Sequence, residues 1–190
     1  MKVVLHICCG ICAAGAAERL KAEGHEVTGF FFNPNIYPEE EYRKRLAVAR
    51  ETSRLLEFPL FEGLYRPEDW LEKTRGWEDA PEGGERCEIC FRVRLEETFK
   101  FMEDRGADAF TSTLTISPHK SAEVIFRIGK AIGGEKFLIR DFKKKDGYKR
   151  SLEIARERDL YRQDYCGCVY SIRKKQGSRG QGFKDSSGDE

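Results

Sequence analysis

Short apolar, β-branched runs alternate along this chain with segments of helical spacing, and this alternation constrains the fold more than any other feature. The first run, Lys2–Ile7, is followed by the alanine-rich segment Ala13–Ala22, and Gly24 lies where that helix would end. Repeated strand–helix units are typical of a parallel sheet covered by helices on both faces. The predicted strands are Lys2–Ile7, Glu26–Phe32, Phe58–Phe61, Asp108–Leu114 and Lys136–Ile139. We therefore expect a three-layer α/β/α fold with a mostly parallel, five-stranded sheet.

The same pattern predicts a single domain over residues 1–175. After the alanine-rich segment, the predicted helices are Glu39–Glu57, Glu88–Glu103, Ser121–Ile132 and Tyr148–Asp159. Residues 62–86 are rich in proline and glycine and are predicted to be a loop or small insertion, with a short helical piece around Glu68–Thr74. Residues 176–190 are rich in glycine, serine and charge, so we expect a disordered tail.

The composition argues against a membrane protein. Hydrophobic residues make up 39% and charged residues 35% of the chain, and no apolar run approaches the roughly 20 residues that span a bilayer. The first residues do not have the form of an export signal. We expect a cytoplasmic protein.

The seven cysteines fall into three tight groups separated by long stretches without cysteine. In a reducing cytoplasm this clustering indicates metal or redox chemistry rather than a disulfide framework, and the odd count argues against full pairing. The groups are Cys8, Cys9 and Cys12; Cys87 and Cys90; and Cys166 and Cys168.

The first group lies where the first strand meets the first helix. In open α/β folds this edge of the sheet carries the functional crevice, and a helix N-terminus stabilises thiolates. Small residues around Gly10 allow a bulky ligand to approach the backbone. Burial of three thiols for packing alone is the simpler alternative.

The other two groups have spacings that suit shared ligands. Cys87 and Cys90 are three residues apart at a predicted helix start, so both sulfur atoms can bind one metal or cluster. With Cys8 and Cys9 they make a four-thiolate set that fits zinc or a [4Fe–4S] cluster. The Cys166-Gly167-Cys168 pair can share a metal, close into a strained disulfide, or be two unrelated buried cysteines.

A histidine follows the fourth predicted strand. Ser117 and Pro118 are predicted to begin a helix, with Ser117 as its N-cap, which places His119 and Lys120 at the same rim as the thiols. His119 is either a proton donor or anion ligand there, or a structural side chain.

Positive charge is concentrated towards the end of the chain. Residues 140–175 contain 12 lysines and arginines against 6 acidic residues. This segment is either a contact for a polyanion or a solvated surface.

Five motifs, taken in order, resemble those of the cobalamin-independent epoxyqueuosine reductases, the QueH family, over about residues 3–175. The chain departs from the family at Gly10-Ile11, where Ala-Pro is expected. The motifs are His6-x-Cys8-Cys9-x-x-Cys12, Asn33-Pro34-Asn35-Ile36, Arg86-Cys87-x-x-Cys90-x-x-x-Arg94-Leu95, Thr113-Leu114-x-x-Ser117-Pro118-His119-Lys120, and Tyr161-Arg162-Gln163-x-Tyr165-Cys166-Gly167-Cys168-x-Tyr170-Ser171.

The resemblance implies a [4Fe–4S] oxidoreductase that converts epoxyqueuosine in the tRNA anticodon loop to queuosine, the last step of queuosine biosynthesis. It also implies a sheet like that of the adenine-nucleotide α-hydrolases and an electron donor of unknown identity. By motif, Cys8, Cys9, Cys87 and Cys90 hold the cluster, and Cys166 with Cys168 forms a redox-active pair.

On this basis we assign further roles as hypotheses. Cys12 is the first candidate either to bind a second metal, which would be an additional iron ion, or to contact the substrate directly. His119, Asp164 and Tyr165 are candidates for proton transfer. The predicted tRNA phosphate contacts are Lys143, Lys144, Lys145, Lys149, Arg173 and Lys174.

Two other functions fit the same sheet. An ATP-using tRNA-modifying enzyme would need a glycine- and serine-rich phosphate loop after the first strand, where this chain has CCGICAAG. A zinc-stabilised RNA-binding domain would explain four thiols but not their position beside His119 and the Cys166–Cys168 pair.

Overall fold

A computed structural model describes residues 1–172. Its sheet is parallel and has four strands in the order β3-β2-β1-β4. Pairing brings His6, at the end of β1, level with Phe30 of β2 and Ser112 of β4. The strands are β1 (Lys2–His6), β2 (Glu26–Phe31), β3 (Leu60–Glu62) and β4 (Ala109–Ser112).

Helices follow the strands and cover both faces of the sheet. Their bounds are α1 (Gly10–Ala22), α2 (Glu39–Leu55), α3 (Pro67–Lys73), α4 (Glu85–Asp104), α5 (Ala122–Gly133) and α6 (Gly147–Glu157). Two short 3₁₀ helices cover Thr113–Ile116 and Gly134–Lys136. Among residues 1–172, every helix is too short or too polar to span a bilayer.

Successive side chains of β1, and of Ile7 directly after it, alternate between two separate hydrophobic cores. Val3, Leu5 and Ile7 pack in the core that contains the buried residues of α1 and α2. Val4 packs in a second core, with Leu95 of α4 and residues of α5. Since successive side chains of a strand point to opposite faces, these two cores are the two faces of the sheet. The predicted three-layer α/β/α arrangement is confirmed.

Two glycines let α1 lie close to its neighbours. A Cβ atom on Gly10 would be 2.5 Å from the Val48 backbone of α2, and one on Gly15 would be 2.6 Å from the Gly147 carbonyl oxygen of α6. Both distances are shorter than any stable non-bonded contact, so these positions need glycine. The start of α1, which carries the first thiol group, is therefore tightly seated between two helices.

The predicted fifth strand is wrong. Only Phe137 of Lys136–Ile139 pairs with β4, through a single parallel bridge to Phe110. Beyond Phe137 the chain leaves the sheet and is bound by Thr115 instead. Thr115 Oγ1 donates a hydrogen bond to the Arg140 carbonyl oxygen at 2.9 Å and accepts one from Phe142 N at 3.3 Å. Within residues 1–172, pairing of this segment with β4 ends at the hydrogen bond from Leu138 N to the Phe110 carbonyl oxygen, at 2.8 Å.

The predicted helix start at Ser117-Pro118 is also wrong. Ser121 is the N-cap of α5, and its hydroxyl accepts a hydrogen bond from Val124 N at 3.3 Å. Ser117 and Pro118 instead form a turn after the 3₁₀ helix, and His119 and Lys120 lie on this turn rather than on a helix N-terminus.

The structure describes the predicted insertion but not the predicted tail. Residues 62–86 contain α3, whose Trp70 is buried with a relative exposure of 2%. This segment is therefore packed onto the domain. Residues 173–190, which include Arg173, Lys174 and the tail predicted for 176–190, lie outside the described residues.

Candidate functional site

A buried histidine joins the carboxyl ends of three strands. His6 Nε2 lies 3.1 Å from the Phe32 carbonyl oxygen, which only accepts, so Nε2 carries the proton and Nδ1 accepts from the Ser112 hydroxyl at 2.8 Å. Burial, with the nearby Arg94 charge, lowers the pKa of His6 to about 4. The imidazole is therefore neutral, and it fixes the strand ends on which the thiols lie.

The first thiol group is compact. The sulfur atoms of Cys8, Cys9 and Cys12 all lie within 4.8 Å of one another. Cys9 is the N-cap of α1, and its sulfur accepts hydrogen bonds from Cys12 N at 3.4 Å and from Gln163 Nε2 at 3.0 Å. The Thr113 hydroxyl donates to Cys8 Sγ at 3.2 Å. The three thiols thus have the spacing that one metal centre requires.

Hydrogen bonding distributes charge unevenly within this group. Hydrogen bonds from Cys12 and Cys9 hold the pKa of Cys8 well below its usual range, whereas bonding to Cys8, with Cys9 and burial, raises the pKa of Cys12. Cys8 is therefore the thiol of this pair that loses its proton more readily. Metal binding displaces the remaining protons, as is usual for thiolate ligands.

The second and third thiol groups line one small cavity. Cys87 and Cys90, in the first turns of α4, line a space of about 60 Å³ together with Cys166 and Cys168. Burial raises the pKa of Cys90 to about 11. Cys168 Sγ lies 3.0 Å from Ser171 Oγ. The fold thus brings together a C-x-x-C and a C-x-C motif that lie far apart in the sequence.

A buried arginine holds the C-x-C segment in place. Arg45 of α2 donates hydrogen bonds to the carbonyl oxygens of Cys166 at 3.0 Å and Tyr165 at 3.1 Å, and its Nε donates to Glu41 Oε1 at 2.6 Å. Gly167 has a φ of +116°, and a Cβ there would lie 2.9 Å from Arg45 Nη1. The tight packing therefore requires glycine between the two cysteines.

A larger cleft of about 500 Å³ adjoins the small cavity. The walls of both spaces include Arg94, Lys120 and Cys166, while Cys8 and Cys12 line only the larger one. Burial acts to lower the pKa of Lys120, but its electrostatic interaction with the neighbouring sulfur atoms of Cys166 and Cys8 raises it by more, so the ammonium form is kept. All three cysteine groups therefore lie around connected spaces that carry buried positive charge.

Comparison with known proteins identifies the family. The family model described as epoxyqueuosine reductase QueH matches residues 3–174. The chain belongs to the QueH family. It is 39% identical to the epoxyqueuosine reductase QueH of Streptococcus pyogenes serotype M1, over 90% of this chain and 70% of that protein. It is 34% identical to that of Thermotoga maritima, over 90% of each chain.

Solved structures share the fold at low sequence identity. A predicted subunit of a tRNA methyltransferase from Methanocaldococcus jannaschii superposes with a TM-score of 0.57 at 15% identity, covering 98% of this chain and 94% of that one. The U34-tRNA thiolase NcsA from Methanococcus maripaludis, solved with its [4Fe–4S] cluster, gives a TM-score of 0.53 at 13% identity, covering 96% and 68%. The predicted fold class is confirmed, apart from the number of strands.

The remaining predicted residues of this QueH protein lie around the cleft. His119 is exposed and lines both spaces, and Asp164 is exposed and lines the larger one. Tyr165 also lines the larger cleft, but its hydroxyl donates to the Tyr37 carbonyl oxygen at 2.7 Å. That proton is committed to a structural contact.

The predicted phosphate contacts divide into two kinds. Lys143 is half-buried, and its Nζ donates to the Lys120 carbonyl oxygen at 2.9 Å. It therefore fixes the turn that carries His119. Lys144, Lys145 and Lys149 are exposed.

Three buried residues at the site were not among the predicted functional residues. Arg94 follows Cys90 by one helical turn, so the C-x-x-C motif on a helix is a signal that could have found it. Arg45 and Trp70 reach the site from α2 and α3, and no local pattern marks them.

Proposed function

We propose that this chain reduces the epoxide of epoxyqueuosine in a tRNA anticodon loop, giving queuosine and water. The observation that carries the proposal is the convergence of all three cysteine groups on connected spaces at the carboxyl edge of the sheet. Membership of the QueH family supports the substrate. We place this activity in the cytoplasm.

The thiol chemistry fits an iron–sulfur cluster. Cys8, Cys9, Cys87 and Cys90 are proposed as its ligands, and Arg94 and Lys120 offset the negative charge of four thiolates. Such a cluster supplies low-potential electrons one at a time. Cys12, within 4.8 Å of the Cys8 and Cys9 sulfur atoms, is proposed to bind an additional iron ion or the substrate.

The Cys166–Cys168 pair has the stoichiometry that the reaction needs. Removing the epoxide oxygen as water takes two electrons and two protons. Oxidation of two thiols to one disulfide releases two electrons and two protons, and an external electron donor then returns the disulfide to thiols. Both thiols line the cavity that contains Cys87 and Cys90, so the distance for electron transfer is short.

Protons and charge at the opening epoxide are assigned to the rim. His119 is exposed in the wall of both spaces, and the Lys120 ammonium lies beside it. A cation at this position stabilises the alkoxide that forms when the ring opens. Asp164 is proposed to exchange protons with solvent at the mouth of the cleft.

The tRNA is proposed to approach over the exposed lysines. Sequence-specific recognition of RNA commonly targets unstacked loop bases, and a cleft of about 500 Å³ accommodates one modified nucleoside. Lys144, Lys145 and Lys149 are positioned on the chain close to Tyr148, which lines that cleft.

The first experiment is anaerobic purification followed by assays of iron, acid-labile sulfide and zinc. We expect a brown protein with about four irons and four sulfides from the cluster, and conversion of epoxyqueuosine-containing tRNA with loss of one oxygen atom. A colourless zinc protein that stays inactive after reconstitution would contradict the proposal.

A second experiment tests Cys12. We expect Cys12→Ala to lower either the turnover or the iron content in excess of the four cluster irons. If both are unchanged, the proposed role of Cys12 is wrong.

A further inference from the structure

The residues around the small cavity include buried polar atoms that have no hydrogen-bond partner within the described part of the chain. Among residues 1–172, the buried atoms without a hydrogen-bond partner include Trp70 Nε1, Arg94 Nη2 and Asn35 Oδ1. All three residues line the 60 Å³ cavity with Cys87 and Cys90. Their relative exposures are 2%, 3% and 2%, so solvent does not satisfy them.

Leaving such atoms unpaired is costly. A buried donor without a partner loses its hydration and gains nothing in return, and the cost is greater when the donor is charged. Two of the three atoms, the indole N–H and the guanidinium N–H, belong to groups that only donate. Two unpaired donors around one cavity therefore indicate that the cavity holds a group that accepts hydrogen bonds.

Both donors are fixed next to Cys90. Trp70 packs with Cys90, Cys168 and Tyr170 in one buried cluster. Arg94 Nε donates to the Cys90 carbonyl oxygen at 3.2 Å, and its Nη1 lies 3.5 Å from Asn33 Oδ1. These contacts leave Nη2 for another acceptor.

We propose that Trp70 Nε1 and Arg94 Nη2 donate hydrogen bonds to the sulfur atoms of the group that Cys87 and Cys90 hold, and so raise its reduction potential. The inference rests on the proposed function. A reduced cluster carries more negative charge on sulfur, so donors stabilise it more than the oxidised form. The insertion that carries Trp70 is then a positioning element for electron transfer.

The test is Trp70→Phe, with Trp77→Phe as the matched control. Phenylalanine keeps an aromatic ring but removes the N–H, and Trp77 is 42% exposed. We expect Trp70→Phe to keep its iron and sulfide but to have a lower reduction potential. The equilibrium constant for reduction of the cluster should fall three- to tenfold, and a tenfold fall corresponds to about 59 mV for one electron. Trp77→Phe should match the unsubstituted protein.

An unchanged potential in Trp70→Phe, at full cluster content, would overturn the inference while leaving the proposed function intact. Absence of any cluster in the unsubstituted protein would instead overturn the proposed function. If Trp70→Phe does not fold, 5-fluorotryptophan in the Trp77→Phe background strengthens the remaining N–H donor. The potential should then rise, and no rise would overturn the inference.

Discussion

Arg45 Nη1 donates a hydrogen bond to the Cys166 carbonyl oxygen at 3.0 Å, joining α2 to the C-x-C segment across 121 positions of sequence. The same guanidinium lies over the Tyr165 ring, 5.1 Å from its centroid. This buried side chain, together with the hydrogen bond from Tyr37 N to the Gly167 carbonyl oxygen at 2.8 Å, holds the segment that carries the last two cysteines.

Arg45→Lys should loosen this segment. Lysine keeps the charge but cannot bond to Glu41 and to two carbonyl oxygens at the same time. We therefore expect the free energy of unfolding to fall by about 1 to 3 kcal/mol. We also expect Cys166 and Cys168 to be alkylated faster. Thermal unfolding and mass spectrometry of alkylated peptides measure both. The control is Arg43→Lys, whose side chain is 75% exposed. Equal behaviour of the two variants would contradict the role of Arg45.

His6→Phe should destabilise the edge of the sheet. The phenyl ring is larger than the imidazole and makes no hydrogen bond. The Phe32 carbonyl oxygen therefore loses its donor, and the Ser112 hydroxyl loses the acceptor of its proton while it keeps the bond from Leu114 N. We expect this to cost about 2 to 4 kcal/mol. Chemical denaturation measures the change. His25→Phe is the control, since His25 Nδ1 has no partner among residues 1–172 and its Nε2 makes only a long contact of 3.8 Å with Glu23 Oε2 within them. A loss no larger than that of the control would argue against this role.

Gly15→Ala should separate α1 from α6. The new Cβ would lie 2.5 Å from Ser151 Oγ and 2.6 Å from the Gly147 carbonyl oxygen, and overpacking of this kind costs about 1 to 3 kcal/mol. Adding Ser151→Ala should recover only part of the loss, because the Gly147 contact remains and the hydrogen bond from Gly15 N to Ser151 Oγ, at 3.1 Å, is removed. Thermal unfolding of both single variants and the double variant measures this. Full recovery would mean that the Gly147 contact is unimportant.

Reversing the charge of Lys144 and Lys145 should weaken tRNA binding and flatten its salt dependence. Each phosphate contact that is lost reduces the slope of log K against log salt by about 0.7 to 0.9. Filter binding at several salt concentrations measures the slope. The control is Lys100→Glu, an exposed lysine of α4 that lies outside both spaces of the site. An unchanged slope in the double variant would place the RNA on another surface.

The sequence predicted the parts of the site that follow from local pattern. Cysteines directly after β1 must lie at the carboxyl edge of the sheet, and Cys87 and Cys90 share a helical turn. Local pattern could not predict contacts that depend on distant segments, such as Arg45 with Cys166. Ser117-Pro118 and Ser121 are both good helix starts by local criteria, and local pattern contains no information on distant contacts such as the hydrogen bond from Lys143 Nζ to the Lys120 carbonyl oxygen, which lies between them.

The hydrogen bond from Gln163 to the Cys9 sulfur joins residues 154 positions apart. At the usual rate of about 5 to 20 residues per second, the ribosome needs roughly 8 to 30 seconds to make the intervening chain. During that interval the first three thiols are already synthesised, but the segment that covers them is not. The hydrogen bond to the Cys9 sulfur therefore cannot form until residue 163 has been made, so the first thiol group acquires this cover only near the end of synthesis.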